Sequence, residues 1–103
     1  MAKQIDAKTK RIERLLIEEY RSVHPDARIK VYRYNPGAIR IRVVDRSFEG
    51  KTISEREAEI WRILEKLPDP LQMEISVCLL ITPDEQETSL MNLEFEEPLP
   101  SGF

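Results

Sequence analysis

At 103 residues, 41% hydrophobic and 34% charged, the chain has the size and composition of one soluble domain with a modest core. No run approaches the roughly 20 apolar residues of a bilayer span, and MAKQIDAKTK has no apolar stretch for a signal peptide, so no membrane role and a cytoplasmic address are expected. The net charge of −3 is unevenly spread. Residues 1–46 carry twelve Lys and Arg against six Asp and Glu, a net of +6, whereas residues 47–103 carry four against thirteen, a net of −9. That split fits either complementary surfaces of one domain or a basic binding surface beside an acidic tail.

Apolar residues at Ile12, Leu15, Leu16, Tyr20 and Val23 fall on one stripe and predict a helix within 5–23, ended by Pro25. RIKVYRY (28–34) and AIRIRVV (38–44) both alternate and flank Asn35-Pro36-Gly37, which predicts a hairpin. Burial sets its register. Val31 should oppose Ile41 and Ile29 should oppose Val43, which calls for an odd-length loop, because a two-residue Pro-Gly loop would put Tyr32 beside Ile41. Ile60, Ile63, Leu64 and Leu67 form a second helical stripe over 55–67, with Trp61 beside it and Pro68 closing the run. LQMEISVCLLI (71–81) predicts a third strand, with Met73, Ile75, Val77, Leu79 and Ile81 on one face and Glu74, Ser76 and Cys78 on the other.

A hairpin, a helix and a further strand make a βαβ unit over 38–81, whose right-handed crossover sets the last two strands parallel. The expected fold is a two-layer α+β domain in the order α-β-β-α-β, with a mixed three-stranded sheet and both helices on one face. The domain is expected to fill residues 1–86, followed by an acidic, partly flexible extension at 87–103. Within that extension SLMNLEF alternates and could add a short C-terminal strand.

The joint between hairpin and helix reads SFEGKTISERE, residues 47–57. A Walker phosphate loop needs a glycine five positions before Gly50-Lys51, and Asp45 stands there, an acid where phosphates would lie. A capping box explains the stretch better. Ser54 with Glu57 and Thr52 with Glu55 both have the required spacing, and Gly50 supplies the turn.

FEGKTISER also resembles the core of the BolA family, in which the second strand ends in Phe-x-Gly and leads to a helix opening with Arg-His-Arg. ITPDE at 81–85 matches the Thr-Pro-plus-acids exit from that family's last strand. The resemblance covers about residues 8–86, with Phe48, Gly50, Arg56, Thr82 and Pro83 at the motif positions. It implies a class II KH-like fold and a non-catalytic role. Members of that family pair with monothiol glutaredoxins around an iron–sulfur cluster, and some are regarded as transcriptional regulators that contact DNA. This chain departs from the pattern at the ligands. Glu57 and Ala58 replace the His and second Arg, Glu74 stands at the last-strand histidine, and Asn35-Pro36-Gly37 replaces the ligand-bearing loop. Iron–sulfur iron needs thiolate or imidazole, so no cluster and no other cofactor is expected.

No acid–base pair, metal spacing or activated nucleophile stands out, so no catalytic or metal-binding residues are assigned. His24 suits the C-terminal end of the first helix, Cys78 reads as a packing residue, and Glu55, Glu57, Glu59 and Glu65 as a solvated helix face. The candidate binding face is the sheet face away from the helices, with Lys30, Tyr32, Tyr34, Arg40, Arg42 and Glu74. The expected function is a non-enzymatic protein-interaction or regulatory module, docking a partner or self-associating. The alternative is a nucleic-acid module that stacks bases on the tyrosines and meets phosphates with the basic residues. The outer face covered by the acidic tail or by a second subunit is a third arrangement that the charge asymmetry fits.

Overall fold

A computed structural model of the chain describes residues 4–88. Asp6 opens the first helix with a reciprocal cap: its carboxylate accepts from the Thr9 N–H at 2.9 Å, and the Thr9 hydroxyl accepts from the Asp6 N–H at 2.8 Å. Helix α1 spans Ala7–Leu16 and continues as a π turn over Ile17–Arg21. Ile12, Leu16 and Tyr20 are fully buried, as their spacing predicts. The wider final turn brings His24 rather than Val23 under the stripe. The His24 ring stacks on Tyr20 at 4.3 Å, and Val23 is 69% exposed.

Strands β1 (Arg28–Asn35) and β2 (Ala38–Val44) pair in the expected antiparallel register, Val31 opposite Ile41 and Ile29 opposite Val43. The turn that achieves this is not the odd loop. Asn35 pairs with Ala38 across Pro36-Gly37, and one extra residue on β1, Tyr34, bulges between the pairs Arg33–Ile39 and Asn35–Ala38. The bulge shifts side-chain phase by one, so a two-residue turn and correct burial coexist. The Asn35 side chain accepts from the Gly37 N–H at 3.0 Å and holds the corner.

After β2 a 3₁₀ turn over Arg46–Phe48 leads to Gly50, whose φ of +77° is strained for any residue with a Cβ. Helix α2 spans Ile53–Leu64, and of the two boxes spelled by the sequence it uses Thr52 with Glu55. Ile60 and Leu64 are fully buried, and Trp61 and Ile63 pack at the core margin.

The stretch after Pro68 corrects the sequence reading. Asp69–Glu74 is a short helix, α3, with proline in its first turn, and Met73 is 85% exposed. Strand β3 is confined to Ile75–Ile81 and runs parallel to β2, in sheet order β1-β2-β3. Its facing beyond Ile75 is also the reverse of that expected. Ser76 is an extra residue between the pairs Ile39–Ile75 and Arg40–Val77. Cys78 and Leu80 therefore join Ile41 and Val43 on the helix side, while Val77 and Leu79 lie beside Arg40 and Arg42 on the other. The run VCLLI is apolar at every position, so alternation could not assign its faces. Helix α4 (Pro83–Thr88), unforeseen in the sequence, follows and crosses the expected boundary at residue 86. The SLMNLEF segment lies outside the described residues.

One core joins Ile12, Leu16 and Tyr20 of the first helical segment and Ile60 and Leu64 of α2 to Val31, Ile39, Ile41, Val43, Phe48 and Leu80. The α-β-β-α-β order stands, with α3 and α4 as short additions: an α+β fold with a mixed three-stranded sheet.

Candidate functional site

The pleat places Lys30, Tyr32, Arg40 and Arg42 on the sheet face opposite the α1–α2 core. Lys30 opposes Arg42, and Tyr32 opposes Arg40. Arg28, Val77 and Leu79 share this face through their pairing with Val44, Arg40 and Arg42. Tyr34 sits on the bulge at its edge, with the Arg40 guanidinium 3.7 Å from its ring centroid. The face is not the open platform expected. Tyr32 is fully buried and Arg42 is 7% exposed, while Lys30, Tyr34 and Arg40 are half-buried. Burial of Tyr32, Val44 and Ile81 on this side lies outside the core cluster.

Glu74 does not belong to this face. It ends α3 and takes part in an ion cluster at the start of α1, with Lys8 Nζ at 2.8 Å and Arg33 Nη2 at 3.0 Å. Arg33 also donates through Nε to Asp6 at 2.5 Å and through Nη1 to the Pro36 carbonyl at 2.9 Å. Lys8 foremost, then Arg33, holds the Glu74 carboxyl below its usual pKa, and Arg33 does the same to Asp6. Sequence reading passed over Arg33, although its phase signals it: an arginine in step with Ile29 and Val31 points toward the helix layer and needs a carboxylate there.

These residues do not fit an iron–sulfur cluster. Position 74 holds a carboxylate already engaged by two cations. The hairpin loop carries no thiol or imidazole, and Cys78 turns inward, its thiol pushed up to about 12 by burial and then by Glu57. His24 lies beyond the other end of the first helical segment, whose Lys8 and Arg21 are about 20 Å apart at the usual helical rise. Among the described residues no group of three or more His, Cys, Asp or Glu could hold a metal ion.

The motif residues come together as a structural joint. Phe48 is fully buried, with the Arg56 guanidinium 5.6 Å above its ring. Arg56 donates to the Leu80 carbonyl at 2.9 Å and to Glu85 at 2.6 Å. Glu85 in turn closes a reciprocal cap with Thr82 at the start of α4. The stretch from Phe48 to Arg56 and the Thr-Pro exit are one clasp between α2, β3 and α4.

Asp45 ties the far end of the first helical segment to the same joint. Its carboxylate accepts from the Tyr20 hydroxyl at 2.5 Å and from the Ser47 hydroxyl at 2.7 Å, with His24 Nδ1 at 3.5 Å. Burial alone would raise its pKa, but the Tyr20 and Ser47 hydrogen bonds outweigh burial and hold it below the usual range. Stability from a depressed carboxylate is complete above its unfolded value and is lost as pH falls through the folded one. Tyr20→Phe removes one of these bonds, so it should cost about 1–2 kcal/mol at neutral pH. Acid unfolding should then begin at higher pH. Circular dichroism across an acid titration checks both; an unmoved acid midpoint would mean that Tyr20 does not hold the charge.

No helix among the described residues is long and apolar enough to cross a membrane. No protein-family model matches the chain, and no curated protein matches it in sequence. Solved structures do match in shape. BolA1 from Arabidopsis thaliana superposes with a TM-score of 0.59 at 17% identity, over 79% of this chain and 98% of that one. The BolA domain of SufE1 from Arabidopsis thaliana gives 0.51 at 19% identity, over 80% of this chain and 99% of that one. With nearly the whole of each of those chains covered at these TM-scores, this protein has a BolA-like fold.

Proposed function

We propose that this BolA-like chain is a non-enzymatic protein-interaction module whose docking surface is the sheet face away from α1 and α2. The observation that carries this reading is the make-up of that face: the half-buried Val77 and Leu79 set among Arg28, Lys30, Arg40 and Arg42, with no acidic residue among its strand positions. Lys30 and Arg42 are directly opposed across the strand pair, so both strands contribute positive charge to the face. An acidic polypeptide segment with interspersed apolar side chains fits both features. Nucleic acid fits less well, because base stacking needs an accessible ring and Tyr32 has no exposed surface.

The test is recovery of partners from native extract by the whole protein and by its Lys30→Glu/Arg40→Glu variant. We expect the charge reversal to abolish capture of an acidic protein that nuclease treatment leaves bound. Capture unchanged by the reversal would overturn the assignment of this face. Capture lost on nuclease treatment would instead favour nucleic acid, whose phosphate contacts also weaken steeply with salt.

A further inference from the structure

The two edges of the sheet are treated differently by the chain. On the outer side of β1, Gln4 exchanges two backbone hydrogen bonds with Arg33, at 3.3 and 2.8 Å. β3 forms the other edge, and among the described residues no strand pairs with its outer side. Two contacts fix which way its backbone points. The Ile81 carbonyl accepts from the Asp45 N–H at 3.0 Å, so Ile81 turns its polar groups toward β2. Successive residues of a strand alternate, so Val77 and Leu79 turn toward β2 as well, whereas Cys78 and Leu80 turn outward. The Leu80 carbonyl agrees with this, since it accepts from Arg56 at 2.9 Å. The Leu80 N–H and both backbone groups of Cys78 then face out along the edge.

Natural sheets blunt such an edge with lysine, proline, a bulge or a covering element. The extra residue Ser76 serves the start of β3, but residues 77–81 pair regularly with β2 and carry neither charge nor proline. A groove of about 470 Å³ lies beside them, lined by Cys78 and Leu80 of the strand and by Ile53, Arg56 and Glu57 of α2.

We infer that this edge is a second docking site, which adds an extended segment of a partner polypeptide to β3, the segment carrying an apolar residue and a cation two positions apart. It uses a different surface from the sheet face and stands apart from that reading. Main-chain hydrogen bonds to Cys78 and Leu80 supply the attachment, and α2 supplies the selection. Ile53 is 72% exposed, and Glu57 follows it one helical turn along the same side of α2. Side chains at that helical spacing are about 6 Å apart, close to the roughly 7 Å between alternate side chains of a strand. The charge at the groove calls for a cation. Lys51 is paired with Glu59 and Arg56 with Glu85, whereas Glu57 is exposed and forms no ion pair among the described residues. Burial and then Glu57 push up the Cys78 thiol, which puts this carboxylate beside the open backbone groups. The same charge disfavours a second copy of the chain. Two β3 edges paired antiparallel about Cys78 would bring their Glu57 carboxylates toward each other. Arg56, by holding the Leu80 carbonyl, marks where the added strand ends.

The test uses the whole chain and an acetylated, amidated heptapeptide, Thr-Val-Thr-Lys-Thr-Val-Thr. Valine stands on both sides of the lysine along one face, so either strand direction sets an apolar residue on Ile53. In the free protein the Cys78 and Leu80 amides should exchange hydrogen faster than those of Val77 and Leu79. Added peptide should slow their exchange, shift their amide resonances and that of Ile53, and leave Lys10 and Glu13 of α1 unmoved. A glutamate in place of the peptide lysine should weaken binding about two- to fivefold, the span of an exposed ion pair. Glu57→Lys should reverse that preference. Cys78 and Leu80 amides unmoved up to millimolar peptide would overturn the proposal, as would an equal response of both proteins to both peptides. So would slow exchange at Cys78 and Leu80 before any peptide is added. Protection that grows with protein concentration would make the occupant a second copy, and protection independent of concentration would make it the chain itself. Shifts at Lys30 and Arg42 in place of Cys78 and Leu80 would also overturn it, because the peptide would then sit on the sheet face.

Discussion

Phe48→Ala should cost about 3–5 kcal/mol of folding stability, the usual range for removing a fully buried aromatic ring. The ring has no exposed surface, its centroid lies 6.0 Å from that of Tyr20, and the Arg56 guanidinium caps its other side. Collapse into the space left behind would need movement of three anchored parts. Tyr20 is fixed by Asp45, Arg56 by the Leu80 carbonyl, and Phe48's own backbone by the 3₁₀ turn that joins β2 to α2. For a domain of this size each kcal/mol lowers the melting temperature by about 4–8 °C, so a fall of at least about 12 °C is expected. Thermal unfolding followed by circular dichroism measures it. A fall of only a few degrees would show that the joint can repack around the missing ring.

The parts of this fold that were legible in the sequence are those where one face is apolar and the other is not. The Ile12–Leu16–Tyr20 stripe and the pairing of Val31 with Ile41 follow from periodicity alone, because a one-residue slip would bury charge. β3 was legible as a strand but not in its facing. With both faces apolar the pattern is mute, and the extra residue Ser76 leaves no compositional mark. α3 was hidden for a related reason: Leu71, Met73 and Ile75 mimic the alternation of the strand that follows. The candidate face was half legible. Lys30, Tyr32, Arg40 and Arg42 do share it, but misplacing the strand start put Glu74 there too. The burial of Tyr32 was not legible, because strand periodicity separates the two faces of a sheet without saying how deeply either is buried.

The phosphate-loop likeness of residues 47–57 has a physical resolution in the same joint. Gly50 is needed for its positive φ, and Lys51 pairs with Glu59 at 2.7 Å on the flank of α2. Thr52 caps the helix. Each residue that suggests phosphate binding is engaged in turning a strand into a helix.

Arg56→Met should cost about 2–4 kcal/mol, and most of that should persist when Glu85 is already Gln. Arg56 is 7% exposed, and its side chain meets three acceptors: the Leu80 carbonyl at 2.9 Å, the Lys51 carbonyl at 3.2 Å and the Glu85 carboxylate at 2.6 Å. Glu85 is nearly half exposed, so water screens its ion pair, which falls in the range of exposed pairs, about 1 kcal/mol or less. The two carbonyls are different. Methionine keeps the stem packed against Phe48 but donates nothing, which leaves the Leu80 carbonyl without its arginine donor in a buried setting. Glu85→Gln alone should therefore cost about 1 kcal/mol, and the double variant little more than Arg56→Met. Urea unfolding of the four proteins in the cycle gives the coupling directly. Equal costs for the two single variants, with both falling in high salt, would mean that the Arg56–Glu85 charge pair holds the clasp. The unequal, salt-insensitive pattern expected here makes Arg56 a backbone anchor, which accounts for an arginine at the head of α2.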